Sequence, residues 1–140
     1  MLELRGVNVY YGPHRVLRNV FLRIDSGSFV SIIGPREAGK STLLKAVSGV
    51  VRNKDGAIRY RDRDILYCSP CETLFLGISL VPEGGQLFPG LSVQDNLLLG
   101  AHFYRNRKFK SDIREKLEEV YRLFPRLRSC SGTVARTLVA

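Results

Sequence analysis

The sequence of 140 residues is poor in the side chains that build metal and redox sites: it has three cysteines, two histidines and no tryptophan. Cys68 and Cys71 form one Cys-x-x-Cys pair, whereas Cys130 stands alone. A structural zinc site needs a second pair of ligands at a suitable spacing, and the isolated His14 and His102 do not provide it. We therefore expect free thiols in a reducing compartment rather than a zinc site.

Long apolar runs are also missing from the sequence. No stretch reaches the roughly 20 apolar residues of a transmembrane helix, and the N-terminus lacks the layout of a signal peptide. The apolar share of 44% and the charged share of 25% are ordinary for a globular protein. We expect one domain and, by default, a cytoplasmic location.

Acidic residues are few relative to basic ones, with 13 against 22, which gives a formal net charge of +9. Such an excess suits nucleic acid, an anionic membrane face or a solvated surface. Much of the basic charge lies in residues 105–128, where Arg and Lys alternate with apolar residues of helix faces and aromatic residues are not interleaved for base stacking. This pattern favours a solvated surface and no nucleic-acid partner. Nucleic-acid binding ranks last among the alternatives, and salt-dependent DNA binding would reveal it.

The most informative motif is Gly-Pro-Arg-Glu-Ala-Gly-Lys-Ser at residues 34–41, which matches a phosphate-binding loop. The apolar run Phe29–Ile33 predicts a buried central strand before it, and Ser41–Val47 predicts a helix after it. Backbone N–H groups of such a loop surround phosphate, Lys40 reaches the β- and γ-phosphates, and the Ser41 hydroxyl ligates Mg²⁺. The candidate nucleotide-binding positions in and after this loop are Gly34, Pro35, Arg36, Glu37, Ala38, Gly39, Lys40, Ser41 and Thr42. An ordinary glycine-rich turn is the structural alternative.

Glu37 is the unusual residue of this loop. Phosphate-binding loops often hold a backbone angle at that point that suits glycine, and a Cβ there costs roughly 1 kcal/mol. The Glu37 carboxylate would also lie near a triphosphate, whereas Arg36 adds positive charge. The motif therefore predicts a nucleotide site whose affinity Glu37 reduces.

The remaining pattern predicts an antiparallel β portion followed by a helical portion. Alternating apolar residues and turn signals such as Gly12-Pro13 indicate strands, and Ser92 with Asp95 has the spacing of a capping box. The other predicted elements are strands Leu2–Tyr10, Val20–Ile24, Ala57–Arg61 and Ile78–Val81, loops Asn53–Gly56 and Pro82–Leu91, a helical turn Pro70–Leu76, a helix from Ser92 to about His102, and a helix with Ile113, Leu117, Val120, Tyr121 and Phe124 on one face that ends at Pro125.

Several of these segments, in this order, resemble the first part of an ATP-binding-cassette (ABC) ATPase subunit, most closely of the branched-chain amino acid importer type. The resemblance covers nearly the whole chain. It rests on Tyr10-Tyr11-Gly12, Phe29-Val30-Ser31-Ile32-Ile33-Gly34-Pro35, Gly39-Lys40-Ser41-Thr42-Leu43-Leu44, Ile78-Ser79-Leu80-Val81-Pro82-Glu83-Gly84, Leu87-Phe88-Pro89-Gly90-Leu91-Ser92-Val93 and Asp95-Asn96-Leu97. It implies an α/β fold: a P-loop NTPase core with an antiparallel β portion and a helical portion.

The resemblance also implies roles for individual residues. Tyr11 falls where the family stacks an aromatic ring on adenine. Glu83 falls where most members carry a glutamine that senses Mg²⁺ or the attacking water, so that Ser41 and Glu83 are the implied metal ligands and ATP with Mg²⁺ the implied cofactors. The implied partners are the membrane permease subunits of an importer and a second ATP-binding subunit, at the inner face of the cell membrane. A solvated loop charge is the plainer explanation of Glu83.

The sequence departs from the family pattern at its C-terminal end. The Leu-Ser-Gly-Gly signature, the apolar strand ending in Asp-Glu and the switch histidine do not occur in these 140 residues, and Ser131-Gly132-Thr133 resembles the stretch just before the signature. We therefore expect an incomplete ABC ATPase domain, with a core portion over 1–91, a helical portion over 92–133 and a tail over 134–140. Such a chain is expected to bind nucleotide without hydrolysing it. The alternative is a non-catalytic fragment that docks on a permease or a homologous ATPase without nucleotide.

Overall fold

The computed structural model describes residues 1–101 and 110–138, with the side chains of 110–112 left aside. The chain divides into two compact units, Met1–Val81 and Pro82–Ala140. The first contains the β-sheet, and the second is helical. Among the described helices, none has both the length and the apolar character needed to cross a bilayer.

The first unit is built on a four-stranded antiparallel sheet of order β2-β1-β3-β4. Its strands are β1 (Leu2–Tyr11), β2 (His14–Ile24), β3 (Lys54–Tyr60) and β4 (Arg63–Asp64). The predicted strands Leu2–Tyr10 and Val20–Ile24 are confirmed within β1 and β2, which pair as an antiparallel hairpin. The predicted loop Asn53–Gly56 is wrong, because the β3 backbone pairs with β1 from its first residue, Lys54 opposite Val9.

One face of this sheet carries the core of the first unit. In the central strand β1, Leu4, Val7 and Val9 are buried, and Leu4 lies opposite Leu22 and Ile58 of the neighbouring strands. Helix α1 (Lys40–Val47) contributes its buried side to the same cluster. The cluster comprises Leu4, Val7, Val9, Leu17, Leu43, Ala46, Val51, Ile58, Ile65 and Leu66.

The two predicted strands Phe29–Ile33 and Ile78–Val81 do not form. Both segments lack a strand assignment, and the side chains of Phe29 and Ile33 are 95% and 92% exposed, while Val81 is 87% exposed. A strand of the parallel kind needs neighbours that satisfy its N–H and C=O groups, and among the described residues the sheet ends at β2 and β4. An apolar pattern alone is therefore not sufficient for these segments to form strands.

Helix α2 (Pro70–Phe75) follows the sheet and confirms the predicted helical turn. Its first turn is a capping box: the Ser69 hydroxyl accepts from the Glu72 N–H, and the Glu72 carboxylate accepts from the Ser69 N–H at 2.7 Å. This backbone hydrogen bond from Ser69 lowers the pKa of the Glu72 carboxyl.

The second unit contains α3 (Val93–Gly100), α4 (Lys110–Leu123) and α5 (Pro125–Ser129), followed by a 3₁₀ turn at Ala135–Thr137. Ser92 caps α3 as predicted, since its hydroxyl accepts from the Asp95 N–H at 3.0 Å. The Asn96 side chain fixes the preceding loop: its oxygen accepts from the Phe88 N–H and its nitrogen donates to the Phe88 carbonyl. Residues 131–136 return along this loop, with Val93 N–H donating to Thr133 O at 3.0 Å.

The helix boundaries of the second unit differ from the prediction in two places. Helix α3 ends at Gly100, and His102, its predicted end, lies outside the described residues. Pro125 follows the end of α4 and is also the first residue of α5. Proline is tolerated there because the first helical position needs no N–H donor. As a result Phe124 sits at the N-cap of α5 and is exposed, so its predicted place on the apolar face of α4 is wrong.

Candidate functional site

The phosphate-binding loop of the first unit runs directly into α1. Gly39 is the N-cap of this helix, with φ at +88°, and no side chain in the described ranges caps its first turn. The N–H groups of that first turn have no intrahelical acceptors, and they carry the positive end of the helix dipole. The start of α1 is thus a set of free backbone donors suited to an anion.

Lys40 is folded back on its own loop. Its ammonium donates to the Gly34 carbonyl at 2.8 Å and to the Pro35 carbonyl at 2.6 Å. A lysine ammonium has three donors, so one remains for another acceptor. The hydroxyl-bearing Ser41 follows in the first turn and is exposed.

Glu37 has the left-handed backbone conformation that its position in the motif predicted, with φ at +64°. For a non-glycine residue this conformation costs roughly 1–2 kcal/mol. The adjoining turn is closed by the Ala38 N–H, which donates to the Pro35 carbonyl at 3.4 Å. Arg36 and Glu37 are both exposed, so their opposite charges are presented on the same loop.

The hairpin of β1 and β2 supports the N-terminal end of α1. A Cβ at Gly39 would lie 2.6 Å from Leu17 Cδ2 and 3.6 Å from Val16 Cγ1, both on β2. Leu17 is buried in the core. This close approach and the left-handed φ of +88° both favour glycine at position 39.

Tyr11 lies at the end of β1, in the same unit as the loop. It pairs with His14 across the hairpin turn, and its side chain is 45% exposed. Together with Lys45 and Arg52 it lines an open recess of about 430 Å³. The ring is therefore accessible for stacking, and its contact with adenine stays a prediction.

Glu83 lies in the second unit, on a turn. The loop residues Gly34 to Thr42 all lie in the first unit, so the pairing of Ser41 with Glu83 around a metal stays a prediction. Among residues 1–101 and 110–138, no group of three or more His, Cys, Asp or Glu side chains could hold a metal ion.

The residues near the loop suit a magnesium-bound polyphosphate in most respects. The free donors of α1 and the Lys40 ammonium match phosphate oxygens, and one exposed hydroxyl at Ser41 is sufficient for Mg²⁺, which takes most of its ligands from phosphates and water. The Glu37 carboxylate is the element of the loop that opposes an anion. The chemistry of the loop therefore suits phosphate and Mg²⁺, and the predicted loss of affinity from Glu37 stays a prediction.

The C-terminal end of α1 is held by contacts that the sequence did not reveal. The buried Lys54 donates to the Ala46 carbonyl at 2.6 Å, and the buried Thr73 hydroxyl of α2 donates to the Ser48 carbonyl at 2.9 Å. Gly49 follows with φ at +76°, and a Cβ there would lie 2.5 Å from the Cys68 carbonyl oxygen. A glycine just after a helical pattern usually marks the C-terminal end of the helix, so Gly49 was the sequence feature from which this anchor could have been inferred.

Burial is the main influence on the Lys54 ammonium. The side chain is only 6% exposed, and desolvation lowers its pKa, while the nearby Cys68 thiol acts in the opposite direction. The charged form is therefore retained at a cost, which the hydrogen bond to the helix end offsets in part.

Comparison with known proteins gives a consistent picture. Residues 17–135 match the ABC transporter family. BraG, a high-affinity branched-chain amino acid transport ATP-binding protein of Pseudomonas aeruginosa, is 34% identical over 91% of this chain and 53% of its own length. RbsA, a ribose import ATP-binding protein of Yersinia pestis, is 34% identical over 75% of this chain and 21% of its own length.

A similar fold occurs in the crystal structure of a nucleotide-free ATP-binding cassette from an ABC transporter. The TM-score is 0.78 at 25% identity, and the match covers 96% of this chain and 57% of that one. The chain thus spans about half the length of BraG and of this cassette.

Proposed function

The chain belongs to the ABC transporter family, as an ATP-binding component with a P-loop core, an antiparallel β portion and a helical portion, and on that premise we propose that residues 34–42 hold Mg-ATP. The observation that carries this proposal is the start of α1: uncapped backbone donors at Gly39, followed by the Lys40 ammonium bound against the Gly34 and Pro35 carbonyls. This arrangement concentrates positive potential at the mouth of the loop.

Each residue of the proposed site has its own task. Backbone N–H groups of the loop cradle the phosphates, Lys40 exchanges its loop carbonyls for phosphate oxygens, and Ser41 supplies one oxygen to Mg²⁺. Tyr11 is proposed to stack on the base, and Glu83 is proposed as a ligand of hydrated Mg²⁺. When bound, the cofactor supplies the energy-rich phosphates whose hydrolysis drives transport in this family.

The transported substrate is the finer part of the proposal. The similarity to BraG spans more of the chain than the similarity to RbsA, 91% against 75%, and it supports branched-chain amino acids rather than ribose. We further propose permease subunits and a second ATP-binding subunit as partners at the inner membrane face. Within the cassette, residues 1–91 would form the core portion, 92–133 the helical portion and 134–140 a tail.

Titration calorimetry with Mg-ATP tests the proposal directly. Lys40→Ala removes a charge-assisted contact with phosphate and should weaken binding by about 2–4 kcal/mol. Arg59→Ala is the matched control, because Arg59 is an exposed cation of β3, outside the loop and outside the recess that Tyr11 lines. Equal ATP affinity of the parent and Lys40→Ala would contradict the assignment of the site.

A second candidate function follows from the same loop. The Lys40 ammonium already has two acceptors within the chain, and Glu37 adds strain and negative charge. These features favour a component that docks on a permease or a homologous ATPase without nucleotide. Absence of measurable ATP binding by the parent, together with association with a full-length homologous ATPase in sedimentation, would favour this second function.

A further inference from the structure

Lys54 occupies an unusual place for a charged side chain. It is the first residue of β3, pairs with Val9 of the core strand, and reaches the C-terminal end of α1 with its ammonium 2.6 Å from the Ala46 carbonyl oxygen. The same carbonyl accepts the Gly49 N–H at 3.3 Å. A positive charge is thus fixed, out of water, on the negative end of the helix whose positive end forms the phosphate loop.

We propose that Lys54 is an electrostatic positioning residue: its buried ammonium offsets the negative end of α1 and so strengthens the attraction of the Gly39–Ser41 end for phosphate. The inference deepens the proposed function, on which it rests. Helix α1 has eight residues and is therefore about 12 Å long. At that distance an exposed charge is largely screened by salt, whereas a buried one acts through protein and is screened much less.

Lys45 offers a natural contrast to Lys54. It lies in the last turn of the same helix, but its side chain is exposed. Both lysines carry one positive charge near the same helix end, so a difference between their effects reports the consequence of burial. The proposal therefore predicts that the two charges differ in salt dependence.

The surroundings of Lys54 contain one titratable group that acts on it. Among the described residues this is the half-buried Cys68 thiol, from the segment before α2. Strand β1 presents the apolar Val9, and α1 presents the Ala46 carbonyl. The neighbouring Asp55 of β3 is exposed and accepts from Asn8 and Tyr10. Burial lowers the pKa of Lys54, so its charge is lost at a lower pH than that of exposed lysines.

The first test compares the affinity for magnesium tripolyphosphate, which has no base to occupy the recess that Tyr11 and Lys45 line, in Lys54→Met and Lys45→Met, each in low and high salt. Lys54→Met should bind this ligand about threefold to tenfold more weakly than the parent, and the deficit should persist in high salt. Lys45→Met should lose less than about twofold, and that loss should vanish in high salt. Equal affinities for the two variants, with helicity unchanged, would overturn the proposal.

The second test needs no nucleotide. Carbon-detected NMR of the parent from about pH 7 to about pH 11 follows the backbone ¹⁵N shifts of Lys40 and Ser41 together with the Lys54 side-chain signal. The two backbone shifts should step at the midpoint of the Lys54 titration. The step should survive Cys68→Ser and disappear in Lys54→Met.

These measurements separate the inference from the function on which it rests. A parent that shows the backbone step but binds no ATP would refute the proposed nucleotide site and leave the coupling of Lys54 to the loop intact. A parent in which the Lys40 and Ser41 shifts do not follow Lys54 would refute the coupling, whether or not ATP binds. If Lys54→Met fails to fold, the titration of the parent still decides.

Discussion

The two ends of helix α1 differ in almost every physical respect. At the N-terminal end the loop is exposed, uncapped by the described side chains and closed by the contacts of Lys40 with its own carbonyls. At the C-terminal end Lys54 and Thr73 donate buried hydrogen bonds to the helix carbonyls of Ala46 and Ser48. We infer that the buried hydrogen bonds that anchor α1 are concentrated at its C-terminal end, whereas the N-terminal end keeps backbone donors available for a ligand.

Backbone strain follows the same division. Both ends contain a left-handed residue, Glu37 at φ +64° and Gly49 at φ +76°. At the anchored end glycine removes the strain and allows the chain to pack on the Cys68 backbone. At the binding end a glutamate keeps the strain, of roughly 1–2 kcal/mol. Substitutions at the anchored end should therefore lower the free energy of unfolding, whereas relief of strain at the binding end should raise it and also change ligand affinity.

A substitution that disrupts the anchor at Gly49 should destabilise the fold most. Gly49→Ala places a Cβ 2.5 Å from a backbone oxygen at φ +76°. We expect the free energy of unfolding to fall by about 3 kcal/mol, from left-handed strain and the enforced movement of the Cys68 segment. Urea denaturation followed by circular dichroism measures it.

Gly77→Ala is the matched control for this anchor. Gly77 has φ at +91°, and beyond its immediate neighbours no atom of the described residues lies within 4 Å of the position that a Cβ would take, so only strain is added. The substitution should lower the free energy of unfolding by about 1–2 kcal/mol. Equal losses for both variants would show that packing against Cys68 contributes nothing to the anchor.

The next effect concerns the hydroxyl that joins α2 to α1. Thr73→Val keeps the shape but removes the donor to the buried Ser48 carbonyl, and we expect a loss of about 1–2 kcal/mol in unfolding free energy. Thr137→Val removes a comparable donor at an exposed site and should cost less than about 0.5 kcal/mol. If Thr73→Val is as stable as Thr137→Val, the hydrogen bond from Thr73 to Ser48 does not anchor α1.

At the N-terminal end of α1, a substitution should raise the free energy of unfolding rather than lower it. Glu37→Gly relieves the left-handed strain and removes a negative charge beside the phosphates, so the free energy of unfolding should rise by about 1 kcal/mol and ATP affinity about tenfold. Asn19→Gly, at φ +50° on β2 outside the loop, relieves backbone strain without a change of charge and should leave ATP affinity unchanged. Unchanged affinity in Glu37→Gly would show that the loop tolerates its glutamate.

Local sequence signals predicted what local physics controls. The β1–β2 hairpin, the Ser92 cap and the angle at Glu37 all follow from alternation, spacing and backbone preference, and the structure confirms them. The predicted strand Phe29–Ile33 does not form, because a strand also requires partners for its backbone N–H and C=O groups. The pattern of five residues does not specify those partners.

The anchor of α1 escaped prediction for a related reason. Lys54 and Thr73 reach the helix end from elements that follow it in sequence, and only the fold brings them there. In the sequence Lys54 stood within an apparent turn, where a lysine normally points to water. The loop of the candidate site was predictable, since residues 34–42 are consecutive, whereas the Lys54 charge at the other end of α1 was not.

The smallest expected effect is the pH dependence that Lys54 adds to stability. Because burial lowers its pKa in the folded chain below the ordinary 10.5, the unfolded chain binds more protons between those two values. The free energy of unfolding should therefore rise with pH through that window, as the cost of the buried charge disappears. Cysteines and tyrosines titrate nearby, so the quantity to measure is the difference between the parent and Lys54→Met, with Lys45→Met as the exposed control. A difference that stays flat over this window would mean that the Lys54 ammonium is hydrated, and the contrast between the two ends of α1 would then rest on Thr73 and Gly49 alone.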